Sequence, residues 1–401
     1  MRVVIGDETG LLKSVELETQ EQHVLSSRQQ PQARRLAVQS ACWYADETQG
    51  AHERANVVVA RASGVLERYN SAHGKSAATA AREASWEFAA PAGKSVGLGV
   101  LQRFGSVVRC TDAGDVLVTS TLSGAAKPAR FNVGADIVRM RVDPASQTHV
   151  AVGGKERDLS IWSLETQQAA FKAKNVTHDS LDMRVPVWVK DLQFLSHGSS
   201  NGHRAVVGTG YQHVRIYDTN TKRRPVQELK FGEYPVNALC VTPDETRVFV
   251  ADTAGNLDVL DLRTLKHMGR CTGPVGALRD LACHPTLPFV AAVGLDRMVH
   301  VFNTNSRKCE HVVYVKQRLN TVLFCNDGVK DVPKASAPAA KKRRTDGGDV
   351  GDDDDGDDEE EEEVEEAYEG LELSDNEYDD DVNNDDSDCD DDSDDGHETS
   401  D

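Results

Sequence analysis

The sequence predicts an all-β fold, a closed seven-bladed β-propeller, and three observations carry that prediction. Seven times a short β-rich run is followed by a turn and a second β-rich run. These units recur every 42 to 55 residues, and the strand that would finish the first unit is found only near residue 320. The later spacings match the roughly 40–45 residues of a four-stranded blade. A ring of small modules also suits a chain too long for one compact core.

The seven hairpins run from Val3 to Leu17, Val57 to Tyr69, Val107 to Val118, Val150 to Leu164, Ala205 to Tyr217, Arg247 to Leu262 and Phe289 to Phe302. Their turns carry the required chemistry. Asp7-Glu8-Thr9-Gly10, Asp112-Ala113-Gly114 and Asp252-Thr253-Ala254-Gly255 each place an Asp where its carboxylate accepts backbone N–H groups. Each ends on a Gly that enters positive φ without a Cβ clash. Ahead of most hairpins lies a further alternating strand, at residues 138–142, 236–241 and 278–283. Pro144, Pro243 and Pro285 follow and stop these ladders, because proline has no N–H to donate. The first hairpin has no strand before it, so Val312 to Val315 and Leu319 to Cys325 are the candidates to complete it. Joining chain end to chain start closes the ring and leaves only short outer edges open.

Charge divides the chain into a body and a tail. Of 66 acidic residues, 32 lie after Thr345, where Lys and Arg are absent; the preceding residues hold 34 acids against 45 bases, a net charge of +11. We read residues 1–328 as the propeller, 329–345 as a flexible basic linker and 346–401 as a disordered acidic tail. The tail is too poor in apolar residues to offset the entropy of ordering.

No segment approaches the roughly 18 consecutive apolar residues of a membrane span, and Met1-Arg2-Val3-Val4-Ile5 is too short for a signal-peptide core. A soluble intracellular protein is expected. The eight cysteines, at 42, 110, 240, 271, 283, 309, 325 and 389, form no C-x-x-C pair, and several alternate with apolar residues in strands. They read as small core residues in a reducing compartment, not as a disulfide or zinc framework.

Enzyme chemistry finds no foothold. Gly153-Gly154-Lys155 is followed by Glu156 and precedes a strand, so it is a hairpin turn, not a phosphate loop. His197 and His203 flank a Gly/Ser/Asn run that reads as a solvated loop. No G-x-S-x-G elbow or H-E-x-x-H helix occurs. Trp43, Trp86, Trp162 and Trp188 sit in strand-like contexts and are read as packing residues. No cofactor, metal or small-molecule substrate is expected.

Surface for binding remains. The segment from Phe171 to Pro186 lengthens one inter-blade connection and sets Lys172, Lys174 and Arg184 beside apolar anchors. Long loops on rigid scaffolds so often carry function that this is the first candidate. Arg34-Arg35, Lys222-Arg223-Arg224-Pro225, Arg307-Lys308 and Lys316-Gln317-Arg318 add to the positive body. Aromatic residues interleaved with these bases are scarce, so contact with phosphate backbones or acidic proteins is favoured over base reading. Scattered solubilising lysines and arginines are the plain alternative.

Longer strings carry a resemblance. Gly153-Gly154-Lys155-Glu156 leading to Ile161-Trp162, Phe171-Lys172-Ala173-Lys174-Asn175-Val176, Arg184-Val185-Pro186, residues 210–218 (GYQHVRIYD), Arg223-Arg224-Pro225-Val226, Gly232-Glu233-Tyr234-Pro235 and Gly294-Leu295-Asp296-Arg297 closely resemble the WD-repeat ribosome-assembly factors that act in the nucleolus on large-subunit precursors. The resemblance runs from Val3 to about Asn320. The Trp-Asp ending that names such repeats is degenerate here, since Ser163 follows Trp162 and Asp218 follows Tyr217. It implies a seven-bladed propeller acting as a non-catalytic assembly factor, monomeric within early pre-ribosomal particles. It also implies binding to ribosomal RNA and neighbouring assembly proteins, and removal by an AAA-type ATPase. The candidate contacts are Lys172, Lys174, Asn175, Arg184, Arg223, Arg224 and Arg297.

In the linker, Lys341-Lys342-Arg343-Arg344 fits a nuclear import signal, which with the resemblance points to nucleus and nucleolus. In the tail, Val364, Ala367, Tyr368 and Leu371 fall on one face of a possible helix, and Ser374 and Ser387 fit the S-x-x-[DE] pattern of acid-directed kinases. Two other readings stand beside the assembly factor. A histone or chromatin chaperone would lose its cargo on deletion of residues 346–401, and a generic WD-repeat adaptor would be indifferent to RNase.

Overall fold

The computed structural model describes residues 1–26, 32–44, 56–70, 82–86 (backbone only), 93–120, 128–178, 180–195 and 202–325. All of these fall in the compact unit Met1–Ala335; the other unit, Ser336–Asp401, lies outside them. The end of the predicted propeller at 328, the basic quartet Lys341 to Arg344, His197 and the acidic tail are likewise outside the described residues.

Seven four-stranded antiparallel sheets form the blades of a propeller. From the axis outwards, blade 1 is Leu319–Phe324, Arg2–Asp7, Leu12–Glu16 and Gln22–Val24. Blade 2 is Val38–Tyr44, Asn56–Arg61, Leu66–Asn70 and Arg82–Trp86. Blade 3 is Ser95–Leu101, Ser106–Thr111, Asp115–Ser120 and Ala129–Asn132. Blade 4 is Ile137–Val142, His149–Gly154, Arg157–Ser163 and Ala169–Lys172. Blade 5 is Val189–Leu195, Arg204–Thr209, His213–Asp218 and Lys222–Lys230. Blade 6 is Val236–Val241, Arg247–Asp252, Leu257–Asp261 and His267–Cys271. Blade 7 is Leu278–Cys283, Phe289–Gly294, Met298–Asn303 and Cys309–Tyr314.

Alternation explains why these sequences stack as blades. The second strand of each blade is buried on both faces, so it reads as a near-continuous apolar run. In blade 2, Val57 and Val59 pack towards blade 1, while Val58 and Ala60 pack towards blade 3. One hydrophobic cluster fills each of the seven interfaces between neighbouring blades.

The ring closes where the sequence placed the seam, with Val3 opposite Phe324 and Ile5 opposite Val322. Only one of the two candidate closing segments does this. Val312 to Val315 had been expected to share in the closure, yet Val312 to Tyr314 belong to the outermost strand of blade 7, and Val315 follows it. That segment finds its partner in Met298–Asn303, which the sequence had paired on one side only.

The predicted turns have the expected chemistry. Asp7 Oδ1 accepts the N–H groups of Thr9 and Leu11, and Asp252 Oδ1 those of Ala254, Gly255 and Asn256. Gly10 has φ +100, and a Cβ there would stand 2.7 Å from Leu36 O. The turn also ties blades together: Arg61 of blade 2 donates from Nη1 to Gly10 O at 2.8 Å, and Arg109 of blade 3 does the same to Gly64 O.

Two smaller expectations change. His203 is not in a solvated loop: its ring lies 3.2 Å from Asp143 Oδ2 and packs on His149 and Phe194 at the seam of blades 4 and 5. Cys309 is exposed, because it opens an outermost strand, whereas Cys110, Cys240, Cys271 and Cys325 are buried as read.

A candidate nucleic-acid interface between blades 4 and 5

Blade 4 ends its outermost strand at Lys172, and the chain reaches the innermost strand of blade 5 only at Val189. This long connection is braced against the start of the outermost strand of blade 5. Lys174 N–H donates to Arg223 O at 2.8 Å. Arg223 Nε donates to Lys172 O at 2.8 Å, and Arg224 Nε to Asn175 O at 3.1 Å. Asn175 Nδ2 donates to Val185 O at 2.6 Å, and Asn175 Oδ1 accepts the Val176 N–H, so this side chain holds the connection in shape. Its role is internal.

Six of the seven predicted contact residues therefore converge. Lys174, Asn175, Arg184 and Arg224 line a cleft of about 580 Å³ together with His178 and Asp182, which pair at 2.8 Å. Lys172 lines an adjoining cleft of about 270 Å³ and extends its ammonium over the Trp162 ring, 5.6 Å from the centroid. Arg184 Nη2 lies 3.5 Å from Glu156 Oε2, both exposed. In the smaller cleft, burial raises the pKa of Asp158 against the opposing pull of Arg215 and Arg184. Arg297 does not join them. It occupies the turn between the second and third strands of blade 7, two blades further round, where its carbonyl accepts the Val315 N–H.

The chemistry of this wall lies in how its guanidinium groups are spent. Arg223 and Arg224 each commit Nε to a carbonyl, and neither has a partner for its two terminal nitrogens among the described residues. A guanidinium fixed by Nε presents a preorganised pair of donors that matches two oxygens of a phosphate or carboxylate. Lys174 adds a point charge beside them. Sequence reading missed His178, Asp182 and Glu156; only the spacing of His178 and Asp182, four residues apart in a loop, could have signalled their pairing.

No protein-family model matches the chain. Curated proteins do. WD repeat-containing protein 74 of Bos taurus is 35% identical over 339 residues, covering 83% of this chain and 83% of its own length, and its counterpart in Homo sapiens is 35% identical over the same span. The ribosome biogenesis protein NSA1 of Meyerozyma guilliermondii is 26% identical over 306 residues, 63% of this chain and 76% of its own. With a seven-bladed propeller in place and identity of this level across most of both lengths, the chain belongs to the family of WD-repeat ribosome-assembly factors represented by WD repeat-containing protein 74 and NSA1.

Proposed function

We propose that this protein is a non-catalytic scaffold that binds precursor ribosomal RNA and neighbouring assembly proteins on large-subunit precursors in the nucleolus. One observation carries the RNA contact: Arg223 and Arg224 are anchored through Nε, with no partner for their terminal nitrogens among the described residues, next to Lys174 on the rim of a cleft. Phosphate contacts of this kind position a protein on RNA without reading bases. Family membership supports the pre-ribosomal setting. The resemblance also supports a monomer within the particle, released by an AAA-type ATPase, with import through Lys341, Lys342, Arg343 and Arg344.

Charge reversal at Lys172, Lys174 and Arg184 tests the reading. All three are exposed, and exposed ion pairs contribute at most about 1 kcal/mol, so the melting temperature is expected to hold while the protein leaves the precursor fractions of a sucrose gradient. Undiminished co-sedimentation of the triple variant with large-subunit precursors would refute it.

A further inference from the structure

The second residue of every innermost strand is a bulge. The register against the neighbouring strand slips at Asn320, Gln39, Val96, Val138, Lys190, Asn237 and Arg279, one for each blade. A bulge turns its side chain out of the pleat, and here the seven positions fall at the same end of the seven innermost strands, with Val96 packing into the core between blades 3 and 4. Four of them tie blade to blade. Asn320 Nδ2 donates to Val38 O at 2.8 Å, Gln39 Oε1 accepts the Ser95 N–H at 2.6 Å, Asn237 Nδ2 donates to Leu278 O, and Arg279 Nη1 donates to Asn320 Oδ1.

Blades 3, 4 and 5 break the pattern with Val96, Val138 and Lys190, none of which makes such a tie. Lys190 instead lies over Trp188, its ammonium 4.2 Å from the ring centroid. The indole is itself held: a Cβ on Gly210 would come within 2.5 Å of it, and Tyr211 meets it edge-on at 6.2 Å. Lys94, just before the innermost strand of blade 3, is fixed by a two-way bond with Asp112, its N–H donating to Asp112 Oδ1 and its carbonyl accepting the Asp112 N–H. Burial, and then the charge of Lys94, lower the pKa of Lys190. Neither ammonium has a carboxylate partner among the described residues, although both would be stabilised by one.

We infer that this end of the innermost strands of blades 3 to 5, with Lys94 and Lys190 flanking Val138 and Trp188 bracing Lys190, is a docking site for an acidic segment of a partner protein. Charge complementarity names the sign of the occupant, and the aromatic geometry narrows its kind. Trp188 is covered by Lys190 and closely backed by Gly210, so it offers no stacking platform of the sort single-stranded RNA uses. A glutamate or aspartate from an extended peptide needs only cations to either side of an apolar contact, here the exposed Lys94 and the half-buried Lys190 with the half-buried Val138 between them in ring order. This site is separate from the wall that carries Arg223 and Arg224, and the inference does not depend on the RNA reading.

The test measures binding of a fluorescein-labelled hexaglutamate peptide to the full chain by anisotropy, with a labelled single-stranded oligoribonucleotide in parallel. The double variant Lys94→Gln, Lys190→Gln is expected to bind the peptide about tenfold more weakly, with RNA binding and melting temperature unchanged; loss of two charge contacts of about 0.7 kcal/mol each gives that factor. Trp188→Leu, which removes the brace and keeps both charges, is expected to weaken the peptide by a smaller factor. Unchanged peptide affinity in the double variant overturns the inference, and so does a loss of RNA binding equal to the loss of peptide. A separate Arg223→Ala, Arg224→Ala variant that loses RNA and keeps the peptide would support both sites.

Discussion

Arg139 Nη2 lies 3.3 Å from Asp280 Oδ1, which joins the innermost strand of blade 4 to that of blade 7 across the axis of the ring. Asp191 of blade 5, wholly buried, completes the cluster. It receives Arg139 Nε at 2.8 Å, Arg141 Nη2 at 3.3 Å and the N–H of Leu239 in blade 6 at 3.0 Å. Asp280 accepts the Val322 N–H and the Thr321 hydroxyl of blade 1, each at 3.0 Å. Burial disfavours the Asp191 carboxylate, but Arg139 and Arg141 outweigh it and hold its pKa below the usual range.

Removing Asp191 leaves Arg139 with Asp280 alone and takes from Arg141 and the Leu239 N–H the carboxylate they share, and breaking a buried pair in this way costs about 3–5 kcal/mol. Asp191→Ala is expected to lower stability by roughly that amount in urea unfolding. Asp191→Asn, which keeps an acceptor for Leu239, is expected to lose less. Equal midpoints for Asp191→Ala and the native chain would show that the cluster is not what holds the axis.

Ring closure rests on the Leu319–Phe324 strand, where Val322 packs in the core shared by blades 7 and 1. Val322→Asp buries an unpaired charge at the seam and is expected to cost more than about 4 kcal/mol. The expected result is a chain that no longer melts cooperatively by circular dichroism, while the same change at exposed Val312 leaves the transition in place.

Asp143 and His203 give a dependence on pH. Burial on its own would raise the Asp143 carboxyl; the bonds from His203, Ser146 and the Ala145 N–H prevail and bring it from 3.8 to about 2. The folded value is the lower one, so this stabilisation is present above about 4 and is lost as the pH falls from there towards 2. Its full size is about 2 kcal/mol. Asp143→Asn is expected to flatten the stability curve in that window, and a curve parallel to that of the native chain would refute the assignment.

Arg223→Lys with Arg224→Lys keeps the charge of the wall and removes its forks. A lysine has no Nε to give to a backbone carbonyl while presenting two further nitrogens. RNA affinity is expected to fall about tenfold, at roughly 0.7 kcal/mol for each fork, with little change in its salt dependence, since the number of cations is the same. Filter binding across a salt series measures both quantities.

Arg297→Glu is expected to leave RNA affinity unchanged within about twofold, because Arg297 stands two blades from the cleft. A loss as large as that of the Arg223 and Arg224 pair would mean that RNA reaches around the ring to blade 7.

Much of the fold was legible because its causes are local. Runs such as Val57-Val58-Val59-Ala60 and turns such as Asp252 to Gly255 carry their structure within a few residues. The candidate wall was legible for a related reason: Lys172, Lys174 and Arg184 lie close in sequence, and Arg223-Arg224 opens the very next outer strand. What escaped depends on distant pairing. Val312 to Val315 reads equally well as a partner for Arg2–Asp7 or for Met298–Asn303, since both are apolar strands. The cluster of Arg139, Asp191 and Asp280 draws on three blades, and nothing near any of the three announces the others. Trp188-Val189-Lys190 did carry a local hint, aromatic and cation two residues apart, which gained meaning only once the bulge of each inner strand was seen.

The seam between Arg2–Asp7 and Leu319–Phe324 has a bearing on how the protein is made. Its halves lie about 320 residues apart in sequence. At about 5–20 residues per second of synthesis, the first strand waits roughly 15–65 s for its mate. Throughout that interval the strand edge that later meets Val322 is uncovered, an open template for stray pairing with other nascent chains. A factor serving the birth of ribosomes thus leaves its own ribosome in need of shelter, and chaperone occupancy on its messenger-bound translating complexes should persist until the final blade has emerged.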